Sequence, residues 1–154
     1  MTKPTISPTT KDDIPALQLI LDQTGLFPSE MLPEMLDPSL TETSEAFWLT
    51  CHANGKATGF CFVVPEELAE GTWNMLALAV HPDLQGKGLG TALVRAAESH
   101  LRDNSQRILI VETSGTEGFA PTRQFYVQNG YDEEARIRDF WASGDDKVVF
   151  RKAL

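Results

Sequence analysis

Apolar positions recur along this chain with two periods. After Thr10-Lys11-Asp12-Asp13, which has the character of an N-cap with an acidic first turn, Ile14, Leu17, Ile20 and Leu21 fall at helical spacing and predict a first helix. Ahead of it, Pro4-Thr5-Ile6-Ser7 predicts a short edge strand, because proline at a strand's start is tolerated at an edge and poorly in a sheet's centre. Between residues 28 and 40, Pro28, Pro33 and Pro38 interrupt Met31, Leu32, Met35 and Leu36, so the expectation is a short, broken helical segment able to serve as a lid. Residues 46 to 64 read as a hairpin, AFWLTCH and ATGFCFVV, around the turn pair Asn54-Gly55. Thr72 to Val80 becomes almost continuously apolar from Met75 onward, the pattern of a central strand buried on both faces.

A glycine-rich turn, Gln85 to Gly90, follows that strand, and Leu89, Leu93, Ala96, Ala97 and Leu101 then mark a helix of about four turns. Arg107 to Glu112 reads as another buried strand. The succession of strand, glycine loop, helix and strand implies two parallel strands joined by a right-handed crossover. Pro121 opens a short helix through Arg123, Phe125 and Tyr126 that Asn129-Gly130 stops. Tyr131 to Ile137 and Lys147 to Lys152 are expected as a last strand pair, joined by a long polar loop, Asp139 to Asp146, that carries Phe140-Trp141.

The 154 residues suffice for one α/β domain, taken here as 1–154. A hydrophobic share of 42% with 23% charged residues is that of an ordinary globular chain. The formal charge of −9 repels polyanions at long range, so no nucleic acid is expected as a partner. No run approaches a membrane span, and MTKPTISPTTKDD lacks the apolar core of a secretory signal, so a cytoplasmic protein is expected. Opposing Ala53 to Lys56 across the hairpin turn sets Cys51 opposite Thr58 and Cys61 opposite Trp48, which offers no cross-strand disulfide; both cysteines are expected as reduced core thiols. Three scattered histidines and two hairpin cysteines give no metal-ligand spacing, so no metal is expected.

Gly86-Lys87-Gly88-Leu89-Gly90-Thr91 lies between a buried strand and an amphipathic helix, so its main-chain N–H groups and the helix N-terminus converge on a place suited to an anion. A merely tight turn would not call for three alternating glycines. The Walker pattern fails, because Lys87 is followed by Gly88 and not by Ser or Thr. The dinucleotide fingerprint is weakened, because Gly88 and Gly90 are two apart where it requires three.

Gln85-Gly86-Lys87-Gly88-Leu89-Gly90, preceded by Ala77-Leu78-Ala79-Val80-His81-Pro82, resembles the Q/R-x-x-G-x-G/A acetyl-CoA loop of the GNAT superfamily of N-acetyltransferases. The likeness continues through the following helix and strand to Phe125-Tyr126 before Asn129-Gly130-Tyr131, similar to the family's F-Y-x-x-x-G-F/Y, and so covers residues 72 to 131 at motif level. Residues 1 to 45, where acceptor specificity often lies in this family, agree only in layout. The resemblance implies a mixed, mostly antiparallel twisted sheet with helices on both faces and a central parallel strand pair.

It also implies a site. The pyrophosphate of acetyl-CoA would lie on the amides of Gly86, Lys87, Gly88, Leu89, Gly90 and Thr91, with Gln85 shaping the loop entrance and Phe125 beside the cofactor. The main chain of Leu78, Ala79 and Val80 would pair with pantetheine, and the Val80 amide would stabilise the oxyanion. Tyr126 would be the acid near the sulfur, since an ordinary tyrosine at ~10 is protonated at neutral pH while the departing thiol resembles ~8.5. Glu112, at the end of the next strand, is the candidate base, a water chain being the alternative. Arg95 and Arg123 are open between phosphate contacts and surface positions, and Phe140 and Trp141 between an acceptor wall and packing. The implied activity is acetyl transfer to a small primary amine in a ternary complex. The alternative is an inactive acyl-CoA-binding sensor or regulatory module. A homodimer is compatible with an exposed C-terminal strand.

Overall fold

The computed structural model describes residues 3–154. Its elements are β1 (Thr5–Pro8), α1 (Ile14–Thr24), α2 (Leu32–Leu40), β2 (Phe47–Ala53), β3 (Lys56–Pro65), β4 (Thr72–Val80), α3 (Leu89–Asp103), β5 (Ile108–Ser114), α4 (Ala120–Gln128), β6 (Asp132–Ala142) and β7 (Asp145–Ala153). They form a seven-stranded sheet in the order β1-β2-β3-β4-β5-β7-β6, antiparallel everywhere except β4 beside β5. The single parallel pair is the one joined through the glycine turn and α3, as the strand–loop–helix–strand succession requires.

Alternation along β3 assigns two cores to opposite faces of the sheet. Cys61 and Val63 join Leu93, Val94, Ala97 and Leu101 of α3 and Tyr126 of α4. Phe60 and Phe62 join Leu17, Ile20 and Leu21 of α1 and Leu32 and Leu36 of α2. Helices thus cover both faces. The start of α1 is fixed by the Thr10 N–H, which donates to Asp13 Oδ2 (2.8 Å), while Asp13 Oδ1 lies 2.8 Å from Nε2 of His52 on β2.

A bulge in β4 decides the shape of the centre. Val63 of β3 opposes Met75 and Phe62 opposes Ala77, leaving Leu76 without a partner. The extra residue reverses the inward alternation, so Trp73 and Met75 serve the α3 side while Ala77 and Ala79 serve the α1 side. Just ahead of it, after Asn74, β4 separates from β5. Their pairing covers only Thr72, Trp73 and Asn74, whereas β5 continues to pair with β7 as far as Ser114. The expectation of a strand buried throughout is corrected at Leu76, which is half exposed because the bulge turns it into that opening.

Three further expectations are corrected. A second bulge opposes His52 to Ala57 and Cys51 to Gly59, so Thr58 is the extra residue; Cys51 faces Gly59 and Cys61 faces Leu49, and both thiols are free and buried. The segment expected as a long polar loop is strand: β6 continues to Ala142 and turns tightly at Ser143-Gly144. The C-terminal strand β7 lies between β5 and β6, so the exposed edge at that end is β6. Among the described residues no helix is long and apolar enough to cross a membrane.

Candidate active site

The glycine loop adopts the conformation its composition permits. Gly86 and Gly88 have φ of +79° and +82°, in the left-handed region, and Gly88 caps the N-terminus of α3. Ala92 N–H makes the first bond back to the Gly88 carbonyl, so the N–H groups of Leu89, Gly90 and Thr91 precede the intrahelical ladder. Gly90 answers a different need: a Cβ there would stand 3.3 Å from Phe125 Cζ, so its bareness lets the first turn of α3 lie against α4. Lys87 is exposed on the loop. Gln85 is exposed as well, and its Nε2 donates to the Val80 carbonyl (3.2 Å).

That bond lies on the open side of β4. His81 N–H donates to Thr58 of β3 (2.8 Å), and main-chain groups alternate along a strand, so the N–H and C=O of Val80 and Leu78 face away from β3 into the gap where β5 has departed. The groups of Ala79 between them turn to β3. His81 serves the turn itself, its Nδ1 accepting from Asp83 N–H (3.1 Å).

Two cavities meet beside this edge. One, of ≈ 570 Å³, runs along the loop and α4 past Leu84, Gly88, Leu89, Gly90, Thr91 and Phe125. The other, of ≈ 550 Å³, fills the gap between β4 and β5 and reaches Glu112, Phe119 and Trp141. Leu78, Val80, Gln85, Thr122 and Tyr126 line both. Tyr126 is buried between the rings of Phe125, Tyr131 and Phe150. Burial, followed by the neighbouring Cys61 sulfur, pushes its phenol well above the usual tyrosine value. Burial likewise pushes the Cys61 thiol up to about 12, so it is no nucleophile.

Glu112 lines only the second cavity, and both its oxygens are engaged. Oε1 accepts from Asn74 Nδ2 (2.7 Å), and Oε2 pairs with Lys147 Nζ. Asn74 stands at the last paired position of β4 and also donates to Glu66 Oε1 (3.0 Å), which ties the hairpin side to the point of divergence. Lys147 Nζ lies 4.3 Å from the centre of the Phe140 ring.

The two arginines serve the scaffold. Arg123 Nη1 donates to the carbonyls of Ser114 (2.8 Å) and Thr116 (2.7 Å), closing the end of β5, and Arg95 Nη1 donates to Glu98 Oε1 (2.9 Å) and the Asn129 carbonyl (3.2 Å). Sequence reasoning missed Glu98, which is 1% exposed on α3. Its signal was a carboxylate on the helix's apolar stripe, between Ala97 and Leu101, where only a buried partner makes a charge tolerable. Thr113 and Ser114 in the cavity wall were also missed; they are joined to it only by strand pairing. Among the described residues no cluster of three or more His, Cys, Asp or Glu is arranged to hold a metal ion.

The amide-lined loop, open strand edge and adjoining cavity fit a long ligand with an anionic end and an extended, hydrogen-bonding middle, as acetyl-CoA is. A family model for the acetyltransferase (GNAT) domain matches residues 43–133, more than half of the chain. A solved GNAT-family structure from Desulfovibrio desulfuricans superposes with a TM-score of 0.90 at 27% identity, over 98% of this chain and 99% of that one. The ribosomal-protein-S18-alanine N-acetyltransferase of Escherichia coli shares the fold (TM-score 0.78, 21% identity, 98% and 94% covered). So does yncA from Salmonella typhimurium, solved with its cofactor acetyl-CoA (TM-score 0.80, 17% identity, 99% and 95% covered). No curated protein matches the chain in sequence. Motif, fold and family model agree that the chain belongs to the GNAT acetyltransferases, which take their acetyl group from acetyl-CoA.

Proposed function

We propose that the protein passes the acetyl group of acetyl-CoA directly to a primary amine, with both substrates bound together and no covalent enzyme intermediate. The observation that carries this reading is the meeting of two cavities at Leu78, Val80, Gln85, Thr122 and Tyr126. One arm suits the cofactor, the other suits an acceptor, and their junction suits the thioester.

In this reading the N–H groups from Gly86 to Thr91 hold the pyrophosphate with Lys87 at its outer side, and Phe125 against Gly90 keeps the loop and α4 together. Leu78 and Val80 offer main-chain partners to pantetheine as a neighbouring strand would. Gln85, by occupying the Val80 carbonyl, leaves the Val80 N–H as the free donor, aimed where negative charge gathers on the thioester oxygen.

Tyr126 faces the departing sulfur. The expectation from ordinary values needs correction: a phenol is the weaker acid, and burial raises Tyr126 further, so full proton transfer to a thiolate of ~8.5 runs uphill. Its role here is a hydrogen bond that steadies the thiolate until a proton arrives from the amine side. Glu112 receives the amine's proton through solvent in the cavity, held in place by Asn74 and Lys147.

The test is release of free thiol from acetyl-CoA across a panel of amines, together with the shift in melting temperature caused by CoA. Amine-dependent release that collapses in Tyr126→Phe supports transfer. Stabilisation by CoA with no amine-dependent release identifies a binder, and absence of stabilisation overturns the assignment of the loop.

A further inference from the structure

Leu26, Leu76, Phe119 and Trp141 are 44%, 53%, 46% and 49% exposed, come from four separate segments, and line the same cavity. Single exposed apolar residues are ordinary on a protein surface, but four that converge on one concavity mark a place for an apolar ligand. Leu76 is delivered there by the β4 bulge. Trp141 is delivered by a larger irregularity: Ile137 opposes Lys147 and Ala142 opposes Asp145, so four residues of β6 face Asp146 alone. Asp139 takes φ +55° within that stretch, a conformation that costs energy in a non-glycine residue. It is held by its N–H to Asp146 Oδ1 (3.0 Å), by Gly144 N–H to Asp139 Oδ1 (2.8 Å), and by Arg136 against Asp146 Oδ2 (2.9 Å). The result is that Trp141 reaches over β7 and donates its indole N–H to the Thr113 carbonyl of β5 (3.3 Å), the ring forming part of the cavity wall. Irregular strand segments that re-aim a side chain recur beside active sites.

The charge of the same wall is one-sided. Glu112 is neutralised by Lys147, but Asp145 accepts only from Ser114 Oγ (2.5 Å) and has no cationic side chain within 4.0 Å among the described residues. Such a wall favours a cationic amine and disfavours a carboxylate on the acceptor.

We infer that Trp141, with Leu26, Leu76 and Phe119, selects a primary amine carried on an aromatic or aliphatic body that has no carboxylate of its own. This rests on the assignment of the adjoining arm to acetyl-CoA and deepens it. The acceptor's apolar body lies against the indole while its amino group extends to the junction at Tyr126, and Asp145 discriminates against the corresponding amino acid.

The experiment measures kcat/KM for phenethylamine, ethylamine, phenylalanine and spermidine, with CoA stabilisation recorded in parallel. Phenethylamine is expected to exceed the other three. In Trp141→Ala the ratio of phenethylamine to ethylamine falls about tenfold, and Trp141→Phe restores most of it; a ratio of two substrates is insensitive to the fraction of folded enzyme. Phe119→Ala lowers the same ratio should Trp141→Ala not fold. Asp145→Asn narrows the gap between phenethylamine and phenylalanine. If CoA stabilises the fold and spermidine or phenylalanine is the better acceptor, or the ratio survives both truncations, the inference is overturned and acetyl transfer stands. If CoA does not stabilise the fold, both fail.

Discussion

Tyr131 Oη donates to Glu98 Oε2 over 2.7 Å in the interior, and Lys152 Nζ reaches both Glu98 oxygens at 3.1 Å. Lys152 and Arg95 also donate to the Asn129 carbonyl, while Asn129 and Tyr131 N–H groups close the end of α4 on the Tyr126 carbonyl. The cluster therefore fastens α3, α4 and β7 around Tyr126.

Glu98→Ala strands Lys152 and Tyr131 without their acceptor and is expected to cost about 3 to 5 kcal/mol, on the order of 10 °C in melting temperature. The same cluster sets a pH dependence. Burial pushes the Glu98 carboxyl up, but hydrogen bonds from Tyr131, Arg95 and Lys152 and the Lys152 charge outweigh it and hold the group below its usual range. A depressed folded value means that this stability is complete above ~4.3, the ordinary glutamate value, and is lost as pH falls through the folded one. Urea midpoints should drop more steeply below about pH 5 in the wild type than in Glu98→Gln; parallel curves would remove Glu98 from the account.

Gly88→Ala tests the loop. A Cβ there meets open space, so its only penalty is the left-handed φ of +82°, about 1 to 2 kcal/mol. Calorimetric CoA affinity should weaken roughly tenfold as that strain is relieved by a shifted loop. Gly118→Ala, also into open space but without a positive φ, is the control and should leave it unchanged.

Tyr126→Phe should retain the wild-type stability within about 1 kcal/mol, because the ring that packs against Phe125, Tyr131 and Phe150 is kept. Its kcat should fall about a hundredfold with little change in KM for acetyl-CoA. Because burial raises the phenol, the wild-type rate should show no decline from tyrosinate formation where an ordinary tyrosine titrates. A variant as fast as wild type would leave the hydroxyl with no part in transfer.

For Glu112→Gln the expectation is a loss in kcat on the order of a hundredfold, with acetyl-CoA still bound. A variant with the wild-type kcat would assign the proton to solvent alone.

Much of this could be read before any coordinates. Helix and strand order follows from periodicity, and the loop glycines announce their own geometry. Tyr126, Gln85 and Val80 are singled out through the family's motif more than through chemistry, since nothing local separates Tyr126 from Phe125. The bulges were invisible because Leu76 is as apolar as its neighbours and the switch in facing leaves no mark on composition. The end of β6 was misread as loop because Asp139, Ser143 and Gly144 carry turn chemistry, although they serve to bend a strand. Asp145 and Trp141 reach the cavity only through pairing with β5 and β7, a long-range relation that spacing along the chain does not encode.

The departure of β4 from β5 after Asn74 gives this sheet an edge in its middle, where sheets are otherwise continuous. Unpaired strand edges attract other strands, and proteins commonly cover or charge the peripheral ones. Here the main-chain groups of Leu78 and Val80 stand inside a cleft between two strands and not on the sheet's rim. A cosubstrate that supplies the missing partner becomes, while bound, a structural part. Its binding energy then adds to folding, by about 2.7 kcal/mol when it is present at a hundredfold its Kd, and the enzyme is most robust when cellular acetyl donor is plentiful.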